Sequence, residues 1–462
     1  MRYYLAIDIG ASSGRHLLGW LEDGKFVTEE IYRFQNGPKE KKTAFGGETE
    51  HLIWDVDYLY SEILNGLKKA NEIGKIPYSV GIDNWGVDYA LLDADGNLIG
   101  DVYCYRDSRT DLSIPEVHNI ISYPELYERT GIQYATFNTV YQLYSDKQTG
   151  KLDSAKTVLL LPSYFNFKLT GVKKQEYTHA TTTAMINAKT NTWDAEIIDK
   201  LGFDKTVFAP LAMPGTLLGE FTDEVAKTVG YKAKIFLPPT HDTASAVLAA
   251  PLKEGAPYIS SGTWSLLGVE QKTAHTSEIA RVMDYSNEGS INYECRLQKN
   301  IMGLWMLQQV RHETGDKYSF VELTNMARAS VVDDIIDVND QRFMAPKNMT
   351  EEICAAVGRK LTVGEISYVI LNSLAKFYAT ALDALEKITG ETYKTLNIIG
   401  GGSKNSLLNE LTSKHTGRRI ITGPTECTAI GNIMIQMVGA GDIKDVAEGR
   451  EIIKESFDIN EI

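Results

Sequence analysis

The chain has 462 residues, 43% hydrophobic and 23% charged, with a formal net charge of −14. That length exceeds what one hydrophobic core usually spans and predicts two domains. The acidic balance repels phosphate backbones and anionic surfaces, which argues against nucleic-acid and membrane-surface binding and leaves any anionic ligand to a local site.

The elements are read in chain order. Residues 3–9 form an apolar strand with one carboxylate, Asp8, and run into Gly10-Ala11-Ser12-Ser13-Gly14-Arg15. Small residues let backbone N–H groups approach an anion, and Ser12, Ser13 and Arg15 add hydroxyl donors and a fixed charge. Asp8 is placed to hold a hydrated divalent cation beside that anion, so the stretch suits a nucleoside triphosphate. A plain glycine-turn hairpin explains the same residues. Strands at 16–21 and 26–34 follow, joined by a turn at 22–25. Helical spacing over 57–70 sets Leu59, Ile63, Leu64 and Leu67 on one face. A strand at 80–83 enters Asn84-Trp85-Gly86-Val87-Asp88, and 89–92 is expected to pair across the turn at 93–97. Residues 105–230 are richer in helices, Tyr and Thr. A strand at 233–237 ends at Pro238-Pro239, followed by Thr240-His241-Asp242-Thr243 and a small-residue helix over 244–250.

The stretch 251–257 reads as a joint, dividing the chain into domains at 1–248 and 249–462. The pattern then restarts, with strand, small polar turn and strand over 257–268. A long amphipathic helix spans 362–389. A strand at 396–399 enters Gly400-Gly401-Gly402-Ser403-Lys404-Asn405, the next helix starts near Ser406, and a last helix spans 428–438. Each half thus opens with a strand and polar hairpin turn, and later carries a strand ending in a polar loop. Two such halves predict a cleft between domains, where ligands commonly sit.

Cys104, Cys295, Cys354 and Cys427 form no C-x-x-C pair and no zinc framework, as expected of reduced thiols in a cytoplasmic protein. The first residues lack a secretory apolar run, and no stretch approaches a membrane span of ~20 residues.

Gly400–Gly402, between a strand and a helix, offers backbone N–H groups to a phosphate; the competing reading is a helix-entry loop capped by Asn405 or Ser406. Asp242 precedes a helix, so it reads either as a cap or as a general base for a substrate hydroxyl. Ser260-Ser261-Gly262-Thr263 repeats the small-hydroxyl turn of residues 12–14. Gly10-x-Ser12-x-Gly14 matches a hydrolase elbow, but it follows the first strand of the chain, before any sheet exists to present it. Neither G-K-[ST] nor H-E-x-x-H occurs. Asp83, Trp85 and Asp88 around Gly86 are expected to form a polar and aromatic wall for a sugar. Arg106-Asp107-Ser108-Arg109 reads as a solvated loop.

In this order, Asp8-x-Gly10 with Ser12-Ser13-Gly14, His241-Asp242-Thr243, Ser261-Gly262-Thr263 and Gly400-Gly401-Gly402, the chain resembles the FGGY carbohydrate kinases. Further stretches extend the likeness from about residue 3 to about residue 440: Trp54-Asp55-Val56-Asp57, Gly81 to Tyr89, Tyr105 to Arg109, Phe137-Asn138-Thr139, Glu176 to Thr183 and Lys299 to Trp305. The resemblance implies an α/β fold of the actin-like ATPase kind, two ribonuclease-H-like domains flanking a central cleft. It implies transfer of the γ-phosphoryl group of ATP to the 1-hydroxyl of L-rhamnulose, with Asp242 as base. It places Gly86, His241, Asp242, Thr243 and Asn300 at the sugar, and Ala11, Ser12, Ser13, Gly14, Arg15, Thr263, Gln308 and Gly401 at the nucleotide. Mg²⁺ would bridge the phosphates near Asp8. Thr240 stands where Ser is expected and Asn84 where Thr is common. Three other readings remain: a family member acting on another ketose or polyol, an actin- or chaperone-like ATPase, and an inactive sugar sensor.

Overall fold

The computed structural model describes residues 1–45, 47, 49–253, 255–344 and 346–462. They form two compact units. One comprises Met1–Ala249, Gln271–Arg296 and Thr428–Ser456, the other Ala250–Glu270, Leu297–Cys427 and Phe457–Ile462.

The first unit is built on a six-stranded sheet in the order Leu217–Glu220, Lys234–Phe236, Pro77–Asn84, Tyr3–Ile9, Ser13–Glu22, Lys25–Gln35. The last three strands are joined antiparallel. Pro77–Asn84 instead pairs parallel with Tyr3–Ile9, which requires a crossover. The helix Val56–Glu72 lies within that crossover. Asp55 caps it, accepting from the Tyr58 N–H at 2.9 Å, and Val56, Leu59, Ile63, Leu67 and Ala70 are buried. This parallel register sets Asp8 beside Asp83 and Ile9 beside Asn84.

A second core in this unit gathers Val117, Leu126, Tyr141, Leu143, Ile197 and Phe203. Tyr89–Leu92 belongs to it by strand pairing. Its longer antiparallel partner is Thr157–Leu160. Across the 93–97 turn the expected local pairing also forms, in short form: Leu92 and Leu98 make a bridge, the Asp93 N–H donates to the Asn97 carbonyl at 3.0 Å and the Ile99 N–H to the Leu91 carbonyl at 2.8 Å.

The second unit repeats the opening arrangement. Tyr258–Ser261 pairs antiparallel with Trp264–Gln271 and parallel with Thr395–Ile399, as Tyr3–Ile9 does with its two neighbours. The order continues through Arg419–Thr422 to Asn460–Glu461. Thr362 and Glu365 form a reciprocal capping box at the start of Val363–Thr389, and Gly390 ends that helix in a left-handed conformation at φ 74°. Cys427–Ala440 is not the last helix, since Val446–Ser456 follows.

His16 shows how closely the first unit packs. It is fully buried under Val56–Glu72, its Nε2 is 3.2 Å from the Ile63 carbonyl, and its ring lies edge-on to Tyr32. A Cβ at Gly66 would lie 2.3 Å from that ring. Gly66→Ala is expected to cost about 1–3 kcal/mol of unfolding free energy in denaturant titration. An unchanged midpoint would contradict this packing.

Candidate functional site

Three carboxylates converge in the first unit. Asp8 and Asp83 are register partners near the ends of adjacent parallel strands. Asp242 arrives from the other side. After Lys234–Phe236 the chain passes Pro238-Pro239 and runs beside the end of Pro77–Asn84. There the Asn84 N–H donates to the Thr240 carbonyl at 2.9 Å, and Asn84 and His241 form a parallel bridge. Asp242 is the first residue of the helix Asp242–Ala249. The small residues of this helix allow close contact with Cys427–Ala440, where a Cβ at Gly431 would lie 1.9 Å from the Ser245 carbonyl oxygen.

Each carboxylate has a different environment. Asp8 accepts the fork of Arg15, Nε at 3.0 Å and Nη2 at 2.8 Å. The charge expected to meet phosphate is thus already paired with a carboxylate. Asp83 is fully buried and accepts from the Asn432 Nδ2 at 2.5 Å. Burial pushes its pKa well up and the Asp8 charge adds to this, while the Asn432 bond opposes it. The Asp242 side chain is 34% exposed. Crowding by protein raises its pKa, His241 lowers it, Asp8 raises it, and the Thr243 hydrogen bonds lower it. Those bonds run from the Thr243 N–H at 2.5 Å and Oγ1 at 3.1 Å to Asp242 Oδ1. The Ser245 N–H makes the first i→i−4 bond of the helix, to the His241 carbonyl at 3.1 Å. Asp242 therefore presents a carboxylate of raised basicity at the surface of a buried acidic cluster.

Beside it lies the loop after Asn84. Trp54 and Trp85 pack with ring centroids 4.3 Å apart, and Tyr105 and Phe137 extend the row. Asp88 organises them from behind. Its Oδ2 accepts from the Trp54 Nε1 at 2.6 Å, the Trp85 Nε1 at 2.9 Å and the Tyr105 N–H at 3.1 Å, and its Oδ1 accepts from Gln142 at 3.2 Å. Burial raises the Asp88 pKa to about 6 against the pull of these donors. The expected wall is therefore aromatic only: Asp83 and Asp88 are 0% and 1% exposed and offer no oxygen at its surface. Val87 adopts φ 71°, a costly conformation for a β-branched residue, and is held there by Thr139 Oγ1 on its carbonyl and Thr182 Oγ1 on its N–H. Gly86 faces the same Thr182, 3.3 Å from where its Cβ would be. The 106–109 stretch is exposed at Arg106 and Ser108 but tied down at Asp107 and Arg109. Asp107 accepts from His51 Nδ1 and the Leu52 N–H, and Arg109 pairs with Asp146 at 2.6 Å behind Gln142.

The turn 10–15 is a pinned hairpin. The Gly10 N–H donates to the Ser13 carbonyl, and Asn36 bonds the carbonyls of Ser12 and Gly10 through its N–H and Nδ2. In the second unit, Thr263 sits in the turn between Tyr258–Ser261 and Trp264–Gln271. The Leu304 and Trp305 N–H groups bond the carbonyls of Gly262 and Thr263, and Gln308 lies one turn along the helix Trp305–Glu313. Gly400 and Gly402 pack on Ser261, where added Cβ atoms would come within 2.9 Å and 2.0 Å of it, while Gly401 faces open space. Thr263, Gln308 and Gly401 thus belong to one local assembly. Asn300, on Cys295–Met302, has a buried Oδ1 with no hydrogen-bond partner.

Two family models match nearly the whole chain: the N-terminal domain of the FGGY family of carbohydrate kinases over residues 3–249, and its C-terminal domain over residues 257–440. The chain belongs to the FGGY family of carbohydrate kinases. It is 42% identical to the rhamnulokinase of Oceanobacillus iheyensis over 462 residues, covering 98% of this chain and 97% of that one. It is 40% identical to the rhamnulokinase of Bacillus subtilis over 464 residues, covering 99% and 94%. Among solved structures, a xylulose kinase from Lactobacillus acidophilus superposes with a TM-score of 0.80 at 16% identity, covering 98% and 92%. Plasmodium falciparum glycerol kinase with ADP superposes at 0.77 and 14%, covering 99% and 94%. These likenesses give the FGGY kinase its fold, the two-domain α/β architecture of actin-like ATPases. Among the described residues, no helix is long and apolar enough to cross a membrane.

Sequence reading missed the supports of the FGGY site. Asn432 reaches Asp83 from 349 positions away, and Glu176 accepts from Thr178, His179 and both donors of Thr240. Glu176 lies in a stretch that carries the family resemblance, but its pairing with Thr240 is not local, and nothing local signals Asn432. Removing the Asp88 acceptor is expected to strand two buried indole N–H groups, at about 1–3 kcal/mol each. Asp88→Ala should therefore lower the unfolding midpoint and change tryptophan fluorescence in the folded state. A variant with wild-type stability and spectrum would contradict the clamp.

Proposed function

We propose that this kinase transfers the γ-phosphoryl group of ATP to the 1-hydroxyl of L-rhamnulose, forming L-rhamnulose 1-phosphate. The observation that carries this reading is about 40% identity to rhamnulokinases along almost the entire chain. Asp242 is the base. Its carboxylate is partly exposed and more basic than usual, which suits a group that takes a hydroxyl proton as the oxygen attacks phosphorus. His241, Thr243, Gly86 and Asn300 hold the acceptor, and the unpartnered Asn300 Oδ1 is an acceptor for a sugar hydroxyl. Ala11, Ser12, Ser13, Gly14, Arg15, Thr263, Gln308 and Gly401 are the residues assigned to the nucleotide. The strained Gly86-Val87 backbone and the row of aromatic rings keep the acceptor loop in one shape before the sugar arrives.

Mg²⁺ fits this residue set in one way. Among the described residues no group of three or more His, Cys, Asp or Glu side chains is placed to hold a metal. The ion would therefore keep water and phosphate ligands, with Asp8 as the nearby carboxylate. When bound, it neutralises phosphate charge. In its absence Arg15 is the group that balances Asp8.

A coupled assay across L-rhamnulose, L-fuculose, xylulose and glycerol is expected to show the highest kcat/KM for L-rhamnulose. Asp242→Asn should lower kcat by about 10²–10⁴-fold and leave ATP affinity in calorimetry unchanged. Preference for another acceptor would overturn the substrate, and near-normal turnover by the variant would remove the base.

A further inference from the structure

We propose that Glu288 and Arg296 are positioning residues of the acceptor site: they meet the His241 ring at Nδ1 and hold the imidazole with Nε2 turned to Asp242 and the sugar. The proposal rests on the reading of Asp242 as the base that faces the acceptor.

The geometry starts from a buried ion pair. The Arg296 side chain is fully buried, and its Nη2 lies 3.1 Å from Glu288 Oε2. The same oxygen lies 3.1 Å from His241 Nδ1. Arg296 Nη2 also lies 3.3 Å from His241 Nδ1. A guanidinium N–H only donates and a carboxylate oxygen only accepts, so Nδ1 has a partner in either tautomer of the ring. Both groups grip the same ring nitrogen, which leaves Nε2 facing the other way.

That nitrogen lies 3.5 Å from Asp242 Oδ1. A polyhydroxylated acceptor can meet both groups: the hydroxyl to be phosphorylated donates to Asp242 and a second hydroxyl bonds His241 Nε2. The pair therefore reads two hydroxyls together.

The supports are themselves anchored. The Gly289 N–H donates to Thr181 Oγ1 at 2.7 Å, and Arg296 Nε donates to the Gly289 carbonyl at 3.2 Å. Asn287 bonds the Gly131 carbonyl through both its N–H and its Nδ2. Glu288 thus projects from a backbone fixed on either side. From the opposite direction, Glu176 holds Thr240 by its N–H at 3.0 Å and its Oγ1 at 2.9 Å, which sets the chain just before His241. A buried charge pair costs free energy to assemble, and here it serves to orient one ring.

Two measurements test this. In ¹⁵N-histidine NMR of the full chain, with the His241 signals assigned by their loss in His241→Gln, Glu288→Ala is expected to shift the His241 ring-nitrogen resonances. Ring resonances unchanged in that variant overturn the proposal whatever the activity. In steady-state kinetics, Glu288→Ala is expected to lower kcat/KM for L-rhamnulose by about tenfold or more, while KM for ATP stays within about twofold. Glu288→Gln, whose amide can still bond Nδ1 in either tautomer, should recover most of that loss. Unchanged sugar kinetics in Glu288→Ala, or a loss shared equally by sugar and ATP, would overturn it. Wild-type protein inactive on all four acceptors would instead refute the proposed function, leaving the NMR result to decide the positioning role.

Discussion

The first unit depends on the placement of three carboxylates in one crowded volume. Asp8 and Asp83 are forced together by the parallel register of their strands, and Asp242 joins them at the start of a helix. Like charges in a poorly solvated place raise one another's pKa. The protein disperses the burden unequally. Arg15 balances Asp8, Asn432 stabilises the buried Asp83, and Asp242 keeps access to solvent. The result is one basic, reachable carboxylate backed by two that are occupied.

Close backbone approach is the second constraint. The helix that begins at Asp242 lies against Cys427–Ala440 only because position 431 has no side chain. In the second unit, Gly303 allows its backbone within 2.6 Å (measured to an added Cβ) of the Thr263 carbonyl, and Gly402 does the same against Ser261. Each contact fixes a turn that carries a residue assigned to a ligand. Position and chemistry are thereby coupled: the glycines set the geometry, and the neighbouring hydroxyls and carboxylates use it.

Much of this was legible in the sequence because the signals are local. A mostly buried, apolar strand with a small-residue turn is visible at Tyr3–Ile9 and again at Tyr258–Ser261, and the long amphipathic helix expected over 362–389 starts at the capping box of Thr362 and Glu365. The stretch Gly81 to Tyr89 likewise carried the family resemblance. What local signals leave out is which groups meet across the fold. Asp88 reads as a wall residue by adjacency, yet its oxygens face inward to Trp54, Trp85 and Gln142. Tyr89–Leu92 makes its short local pairing across the turn, but its longer partner strand lies some 65 positions away, which no local signal gives. Glu288 and Arg296 lie in a stretch without motif character, and only the folded chain brings them to His241.

The central claim is that the Asp242 carboxylate faces the hydroxyl that becomes phosphorylated. A crystal structure of the protein with L-rhamnulose and a non-transferable ATP analogue tests it most directly. The account predicts the C1 hydroxyl within about 3 Å of an Asp242 oxygen. A bound sugar whose C1 hydroxyl meets a different group, with Asp242 turned away from it, would contradict the account.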